Sequence, residues 1–262
     1  MIELRGVTVA IGGRQLLRDL GARIESGEFV AMLGRNGVGK TTLLRAMCGL
    51  HPPATGEILL DGAALSTRTA TGRARSIAFV TSDDVLTESL LVRDVVSIGR
   101  FPHHAWWQWN PTPADVSALD DALAAVEMQE FADRLFATLS SGERQRVWIA
   151  MGLAQATPVL LLDEPTSHLD VRVAHEILGL LRKLANDGKT IVCVLHDLND
   201  AATYADRLML LGEERLLAFD APSAVLTPEI ISRAYGIDVE RVETSRGPRV
   251  FARIAEPNTQ PR

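Results

Sequence analysis

The hydrophobic and polar positions at the start of the chain predict strands separated by turns and one helix. Residues 2–10 alternate between apolar and polar side chains, which is typical of a strand with one buried face. Gly12-Gly13 then indicates a turn. Short, largely apolar segments predict further strands at 28–33, 57–60 and 76–81, and helical spacing predicts a helix at 40–49 that ends at a glycine.

The middle of the chain changes to helical spacing. Helices are predicted at 92–99, 113–128 and 142–155, with no convincing strand between them. Strands return at 158–163 and 190–195, with a helix at 171–186 between them. Strand–helix–strand alternation favours a parallel sheet, and near-continuous apolar runs such as VLLL are typical of strands buried on both faces.

These elements predict an α/β fold with a mostly parallel sheet, an antiparallel β portion at the N-terminus and an inserted α-helical subdomain. The predicted core comprises residues 1–84 and 156–225, the helical subdomain 85–155 and a C-terminal extension 226–262. After Asp220 the pattern weakens and carries no recognisable chemistry, so this part either extends the core or mediates self-association. Residues 256–262 carry two prolines, and we expect them to fray.

Composition narrows the class of protein. A length of 262 residues suits one large α/β domain, and a net charge of −6 gives no bulk attraction to nucleic acid or anionic lipid. The isolated Cys48 and Cys193 lie in apolar stretches, which predicts buried thiols in a reducing compartment. There is no signal-peptide pattern, and the longest uncharged run, 147–162, is too short to span a bilayer. We therefore expect a soluble, cytoplasmic protein whose membrane association requires a protein partner.

A glycine-rich loop joins the strand at 28–33 to the helix at 40–49. Its sequence, GRNGVGKT, fits the nucleotide-binding pattern G-x-x-x-x-G-K-[ST]. Glycines let backbone N–H groups surround a phosphate, and the helix N-terminus favours negative charge. An incidental glycine turn is the alternative, but the preceding strand and following helix favour a P-loop. The predicted nucleotide-binding residues are Gly34, Arg35, Asn36, Gly37, Val38, Gly39, Lys40, Thr41 and Thr42.

Within this loop, Lys40 is expected to reach the β- and γ-phosphates and Thr41 to ligate Mg²⁺. A second acidic element completes the prediction, since the apolar strand at 158–163 ends in Asp163 and is followed by Glu164. Burying two carboxylates is costly without a cation. We expect Asp163 to hold Mg²⁺ and Glu164 to act as general base for the attacking water. The alternative is that the two acids begin a solvated loop.

The segment LSSGERQRV at 139–147 resembles the signature motif of ATP-binding cassette (ABC) proteins, LSGGQ followed by a basic helix. Physically, Ser140 or Ser141 can cap that helix, whose N-terminus then offers donors to a phosphate. A plain capped core helix is the alternative, but the order of P-loop, signature and acidic strand favours the family. The resemblance covers roughly residues 2–225 and implies a P-loop ATPase that uses ATP and Mg²⁺.

The resemblance also implies the roles of further residues. Ser140, Ser141, Gly142 and Glu143 would contact the ATP held by a second copy of the chain. Residues 167–170 resemble the loop that crosses the dimer interface, and His196 resembles the switch histidine at the γ-phosphate. Transmembrane permease subunits, and through them a solute-binding protein, are the implied partners, which would place the chain at the cytoplasmic face of the membrane.

The sequence departs from the family pattern at three places. Ile11 stands where an aromatic residue usually stacks on adenine, and we expect its aliphatic side chain to cover the base without the π contribution. Ser82 stands where a glutamine usually ligates Mg²⁺, and Asp83 or Asp84 is a possible substitute. The signature reads SSGE instead of SGGQ, which remains compatible with a capped helix.

The segment GRFPHH, followed by three tryptophans within residues 106–109, admits two interpretations. One is internal packing of a helical-subdomain loop, and the other is an exposed aromatic patch that docks on a permease. Similar Gly-Arg-aromatic-Pro-His stretches look like those of importer subunits for ferric siderophores, haem and cobalamin.

Three functional hypotheses follow. The first is the ATPase subunit of such an importer. The second is a non-transport ABC ATPase of DNA repair or translation, which the single cassette, isolated cysteines and negative charge disfavour. The third is a stand-alone P-loop kinase or GTPase, which would leave the signature unexplained and lacks the guanine-reading Asn-Lys-x-Asp motif.

Overall fold

The N-terminal part of the chain forms an antiparallel sheet, as the alternating pattern predicts. The computed structural model describes residues 1–81, 89–104 and 110–253. The sheet consists there of β1 (Ile2–Ile11), β2 (Arg14–Ile24), β4 (Thr55–Leu60) and β5 (Ala63–Ala64). β1 lies between β2 and β4. Gly12 and Gly13 form the β1–β2 turn with positive φ, which glycine adopts without steric cost.

A second sheet is mostly parallel. Its strands in the described part of the chain are β3 (Phe29–Leu33), β6 (Ile77–Val80), β7 (Val159–Leu162), β8 (Thr190–Val194), β9 (Arg207–Gly212) and β10 (Arg215–Asp220). Their spatial order is β10-β9-β3-β8-β7-β6, and only the β9–β10 pair is antiparallel. Every residue of β3, β7 and β8 is buried, which agrees with parallel strands covered on both faces.

The two faces of the parallel sheet pack against different partners, because successive side chains of a strand point in opposite directions. The odd-numbered residues of β3 join an apolar cluster with α5 (Ser141–Ala154) and α6 (Val171–Asn186). The even-numbered residues join a second cluster with α1 (Lys40–Met47) and the antiparallel sheet. The start of α1 is thereby fixed at the end of β3.

The middle of the chain is helical, as predicted. Its helices include α3 (Val92–Ser97), α4 (Pro113–Ala125) and α5, and the short α2 (Ala70–Ala74) precedes them. The described residues between 89 and 155 contain no strand, only an isolated bridge between Leu91 and Leu135. The rings of Phe136 and Trp148 pack edge to face in the apolar cluster of this region, with their centroids 5.3 Å apart. The boundaries proposed for a helical subdomain stay a prediction.

The residues after Asp220 are ordered into two short helices and a hairpin. These elements are α8 (Pro222–Val225), α9 (Pro228–Tyr235), β11 (Val239–Thr244) and β12 (Gly247–Ala252). Val225, Leu226 and Ile231 are fully buried in the core. This part therefore extends the core, which is one of the two alternatives left open by the sequence. The terminal residues expected to fray lie outside the described ranges.

Cys48 and Cys193 are both buried and free, as their apolar surroundings predict. Burial is the main cause that raises the pKa of each thiol. Within the described ranges, no helix combines the length and apolar character needed to cross a bilayer.

Candidate functional site

The glycine-rich loop begins directly after β3 and ends at α1. Gly34 has a φ of 146°, and a Cβ there would lie 2.5 Å from the carbonyl oxygen of Leu211. Gly39, the N-cap of α1, has a φ of 109°, and a Cβ there would lie 3.1 Å from Cβ of Leu16. Both positions favour glycine, because the backbone conformation would strain any other residue. At Gly34 a side chain would also collide with the backbone of β9.

Lys40 is almost fully buried at the start of α1. Its Nζ donates to the carbonyl oxygens of Gly34, at 2.7 Å, and Arg35, at 3.2 Å. Burial lowers the pKa of Lys40, and the nearby carboxylates of Glu164 and Asp163 oppose that shift. The ammonium group is thus held by the loop itself, close to the acidic end of β7.

Thr41 and Asp163 bring two oxygen ligands together. The hydroxyl of Thr41 donates to Oδ1 of Asp163 at 3.1 Å. Burial, followed by the charge of Glu164, raises the pKa of Asp163 although the Thr41 hydrogen bond lowers it. A hydroxyl and a partly buried carboxylate are the donor set that Mg²⁺ accepts in proteins, so these residues fit the predicted cation.

Glu164 lies just after β7 and contacts His196, the second residue after β8. Nε2 of His196 lies 2.8 Å from Oε1 of Glu164, and Ser167 donates to the other carboxylate oxygen at 3.1 Å. Burial alone would raise the pKa of Glu164, but the contacts with His196, Ser167 and Lys40 outweigh burial and lower it. Glu164 also has a φ of 52°, a strained backbone conformation of the kind found at functional sites.

The sheet order explains why these residues meet. β3, β8 and β7 are consecutive neighbours and parallel, so their carboxyl ends lie at one edge of the sheet. A cavity of about 220 Å³ opens at this edge. Its lining residues are Leu16, Asn36, Gly37, Gly39, Lys40, Thr41, Thr42 and Glu164. Most of the predicted loop residues therefore surround one space, next to Glu164.

Leu16 lines this cavity but was not among the predicted residues. It belongs to β2, and it reaches the loop because the β1–β2 hairpin folds back beside α1. No local pattern in the sequence points to it, because its place depends on the packing of the hairpin. Ile11, the residue predicted to cover adenine, ends β1 with 53% of its surface exposed and does not line the cavity.

The signature residues lie at the exposed start of α5, away from this cavity. Ser140 is the N-cap, and its hydroxyl accepts from the N–H of Glu143 at 3.4 Å. The Glu143 carboxylate accepts in return from Ser140 N–H at 2.7 Å, which completes a capping box. Gly142 is buried, and a Cβ there would lie 2.6 Å from Val173. In a single chain these residues do not line the phosphate cavity.

Two other segments were singled out in the sequence, the predicted dimer-interface loop at 167–170 and the predicted metal-ligand region at 82–84. Ser167 contacts Glu164, and Asp170 caps α6 by accepting from Val173 N–H at 3.0 Å. Ser82, Asp83 and Asp84 lie outside the described residues.

Comparison with known proteins agrees with this geometry. The sequence profile described as "ABC transporter" matches residues 17–167. The petrobactin import ATP-binding protein FpuC of Bacillus anthracis is 38% identical over 95% of this chain and 91% of its own length. The hemin import ATP-binding protein HmuV of Pseudomonas entomophila is 38% identical over 91% of this chain and 94% of its own length.

Solved structures lead to the same conclusion. A chain from a metal-chelate type ABC transporter in an inward-facing conformation is 26% identical, with a TM-score of 0.81 and 96% of both chains covered. A dimeric ATP-binding cassette in a post-hydrolysis state with ADP and Pi is 29% identical, with a TM-score of 0.72 over 85% of this chain and 99% of that chain. This chain therefore belongs to the ABC transporter family, as an ATP-binding subunit that hydrolyses ATP.

Proposed function

We propose that the chain energises the import of a ferric siderophore, or a related haem or cobalamin compound, through a separate permease. The support for import and for this class of cargo is the similarity to import ATP-binding proteins for petrobactin and hemin over most of the chain. The observation that carries the motor role is the meeting of Lys40, Asp163 and Glu164 at one sheet edge.

The glycine-rich loop binds the phosphates of ATP in this proposal. Residues of the loop and of the start of α1 line the cavity, and backbone N–H groups of such a loop and helix start bind phosphate oxygens. Lys40 exchanges the carbonyl oxygens of Gly34 and Arg35 for phosphate oxygens. Thr42, which lines the same cavity, donates to the α- or β-phosphate.

Thr41 and Asp163 hold Mg²⁺ in this proposal. Their oxygen atoms already lie 3.1 Å apart, and a cation there would offset the cost of the partly buried carboxylate. Mg²⁺ supplies charge neutralisation at the phosphate oxygens during transfer. Ser82, the third predicted metal ligand, stays a prediction.

Glu164 orients and polarises the attacking water. Its lowered pKa keeps the carboxylate ionised at neutral pH, so it can accept a hydrogen bond from water. His196 fixes one carboxylate oxygen and Ser167 the other. His196 contacts the γ-phosphate in this proposal, and the support is its contact with Glu164, which lines the cavity.

Two copies of the chain complete the two ATP sites. The exposed start of α5 in one copy covers the P-loop of the other, so that Ser140, Ser141, Gly142 and Glu143 contact the partner's ATP. The support is the exposure of Ser140 and Ser141 and the dimeric form of a similar cassette.

The surface for the permease lies on the helical region. A groove of about 630 Å³ runs between α3, α4 and the 3-10 helix Ile98–His103. Phe101 is 77% exposed at its rim, beside the exposed Ile98 and Val116, and an apolar rim of this kind favours a protein partner. Docking there would hold the chain at the cytoplasmic face of the membrane. The three tryptophans predicted to take part lie outside the described residues.

The test is ATP hydrolysis by this chain reconstituted in vesicles with the permease encoded beside it. A ferric-siderophore-loaded binding protein is added and compared with the unloaded one. We expect stimulation only by the loaded protein, and loss of hydrolysis in Glu164→Gln. Hydrolysis that no cargo-loaded binding protein stimulates would contradict the importer assignment.

A further inference from the structure

The C-terminal hairpin is attached to α7 (Leu198–Tyr204) through one side-chain amide. Nδ2 of Asn199 donates to the carbonyl oxygen of Val250 at 3.1 Å, and Oδ1 of Asn199 accepts from the Val250 N–H at 2.9 Å. The amide thereby reproduces the donor and acceptor pair that a neighbouring strand would offer to β12. Val250 is buried, so this pairing satisfies a backbone N–H and a carbonyl that are shielded from water.

A second contact lies one helical turn further along the same face. Nη2 of Arg249 donates to the hydroxyl of Thr203 at 3.0 Å. Residues four apart on a helix are neighbours, so Asn199 and Thr203 present one strip of α7 to β12. The base of the hairpin is closed separately, by Arg253 N–H donating to the carbonyl oxygen of Asp238 at 2.9 Å.

α7 has few internal means of holding its position. It is seven residues long, and Ala201 is its one fully buried residue among those described. Helices this short are marginal without external contacts. The partly buried Leu198, Ala202 and Tyr204 pack against the apolar core, and Tyr204 also contacts His175 and Arg182 of α6. The two contacts with β12 add hydrogen bonds at Asn199 and Thr203, and Asn199 is the one of these that lies next to the cap beside His196.

α7 begins two residues after His196 of the ATP site. Asp197 caps it by accepting from the N–H groups of Asn199, at 2.7 Å, and Asp200, at 2.8 Å. The residue before this cap is His196, whose Nε2 lies 2.8 Å from Glu164. Asn199 thus takes part in both connections, through its backbone to the cap beside His196 and through its side chain to the hairpin.

We propose that Asn199 is a positioning residue for ATP hydrolysis: through it, the C-terminal hairpin fixes α7 and so holds His196 against Glu164. The proposal rests on the roles proposed above for Glu164 and His196. It gives residues 239–252, whose sequence shows no recognisable chemistry, a function in the catalytic cycle. Asn199 acts through His196 and does not itself line the phosphate cavity.

The test compares full-length Asn199→Ala with Asn110→Ala, which removes an exposed asparagine that precedes α4. Steady-state ATP hydrolysis is measured for both, together with the melting temperature. We expect Asn199→Ala to lower kcat about ten-fold, as for a misplaced catalytic group. KM for ATP should stay within about two-fold, because the P-loop is untouched. Asn110→Ala should match the wild type.

A double variant separates positioning from a general loss of structure. Single-turnover hydrolysis is measured with excess protein in His196→Ala and in His196→Ala/Asn199→Ala. If Asn199 acts through His196, the second substitution adds no further loss. If it reduces the rate by the same factor as in the wild type, or if Asn199→Ala keeps the wild-type kcat, the proposal is wrong.

Three further outcomes complete the design. If Asn199→Ala does not fold, Arg249→Ala removes the other contact and should lower kcat in the same direction by a smaller factor, with KM unchanged. An unchanged kcat in that variant would overturn the proposal.

If His196→Ala itself keeps the wild-type rate, the role proposed for His196 is wrong, and the inference fails with it. If only the Asn199 variants are unaffected, the proposed function stands and the positioning role alone is rejected.

Discussion

At the scale of single residues, Gly99 marks a close approach of two backbones. It lies in the 3-10 helix beside α5, where a Cβ would be 2.1 Å from the carbonyl oxygen of Met151. No rotamer change can relieve this contact, because both atoms are set by the backbone. The packing of the 98–103 segment on α5 therefore depends on the absence of a side chain.

We predict that Gly99→Ala destabilises the chain by about 2 kcal/mol or more, because the two backbones must separate. The matched control is Gly179→Ala in the middle of α6, where a Cβ would meet nothing within 4 Å. That substitution should stabilise the chain by up to about 1 kcal/mol, because alanine favours the helix. Urea unfolding followed by circular dichroism measures both, and equal effects would contradict the prediction.

The ATP site shows which residues a sequence can reveal. Lys40, Thr41 and Asp163 stand in motifs whose local chemistry is recognisable, and the structure brings Thr41 and Asp163 together. Leu16 could not be recognised, because it reaches the cavity only through the way the β1–β2 hairpin packs beside the loop and α1. Contacts that depend on how two elements pack leave no local pattern.

At the scale of elements, a buried ion pair ties the 98–104 segment to the start of α4. Nε of Arg100 lies 2.9 Å from Oδ1 of Asp115, and Nε2 of His104 lies 3.0 Å from Oδ2. Both Arg100 and Asp115 are buried. Burial alone would raise the pKa of Asp115, but hydrogen bonds from Thr112, Arg100 and His104 outweigh it and hold the pKa well below its usual value.

This pair makes stability depend on pH in a defined direction. Because the pKa of Asp115 is lowered by folding, its contribution is complete above the unfolded-state pKa of about 3.9 and is lost as the pH falls below that value. We predict that Asp115→Asn costs about 3 kcal/mol at neutral pH, since Arg100 remains buried without its partner. The difference from the wild type should shrink below about pH 4.

Urea unfolding from pH 3 to 7 measures this dependence. The control is Asp120→Asn, which alters an exposed carboxylate of the same helix and should leave stability nearly unchanged at every pH. A constant difference between Asp115→Asn and the wild type down to pH 3 would contradict the prediction.

The elements were predictable to different degrees for physical reasons. β3, β7 and β8 are apolar runs buried on both faces, and their location follows from composition alone. The hairpin β11–β12 has exposed positions on both strands. It is held by contacts with α7, a helix that lies about fifty residues earlier in the chain. Such an element shows no periodic signal strong enough to be recognised.

At the scale of the whole molecule, we expect the proposed dimer to persist as long as ATP is bound and not hydrolysed. We predict that Glu164→Gln binds ATP-Mg²⁺ and forms a stable dimer, because the amide keeps the shape of the site but cannot polarise water. Size-exclusion chromatography with light scattering at saturating ATP-Mg²⁺ measures the mass. The variant should be monomeric without nucleotide.

The control is Lys40→Ala in the same Glu164→Gln background, which removes the phosphate-binding ammonium group and should remain monomeric with ATP. A Glu164→Gln chain that stays monomeric at saturating ATP, with binding shown by calorimetry, would contradict the two-copy arrangement.

The parallel pairing of β3 also has a consequence for biosynthesis. In the sheet, β3 pairs with β8 and β9, whose residues leave the ribosome long after it. At about 5–20 residues per second, roughly 10–40 s pass before the strand that carries the P-loop can find its partners. During that interval the apolar segment FVAML is unpaired and prone to association with other chains. A nascent chain that stops before β8 thus has no means of assembling the ATP site, and the cell must protect this segment until synthesis is almost complete.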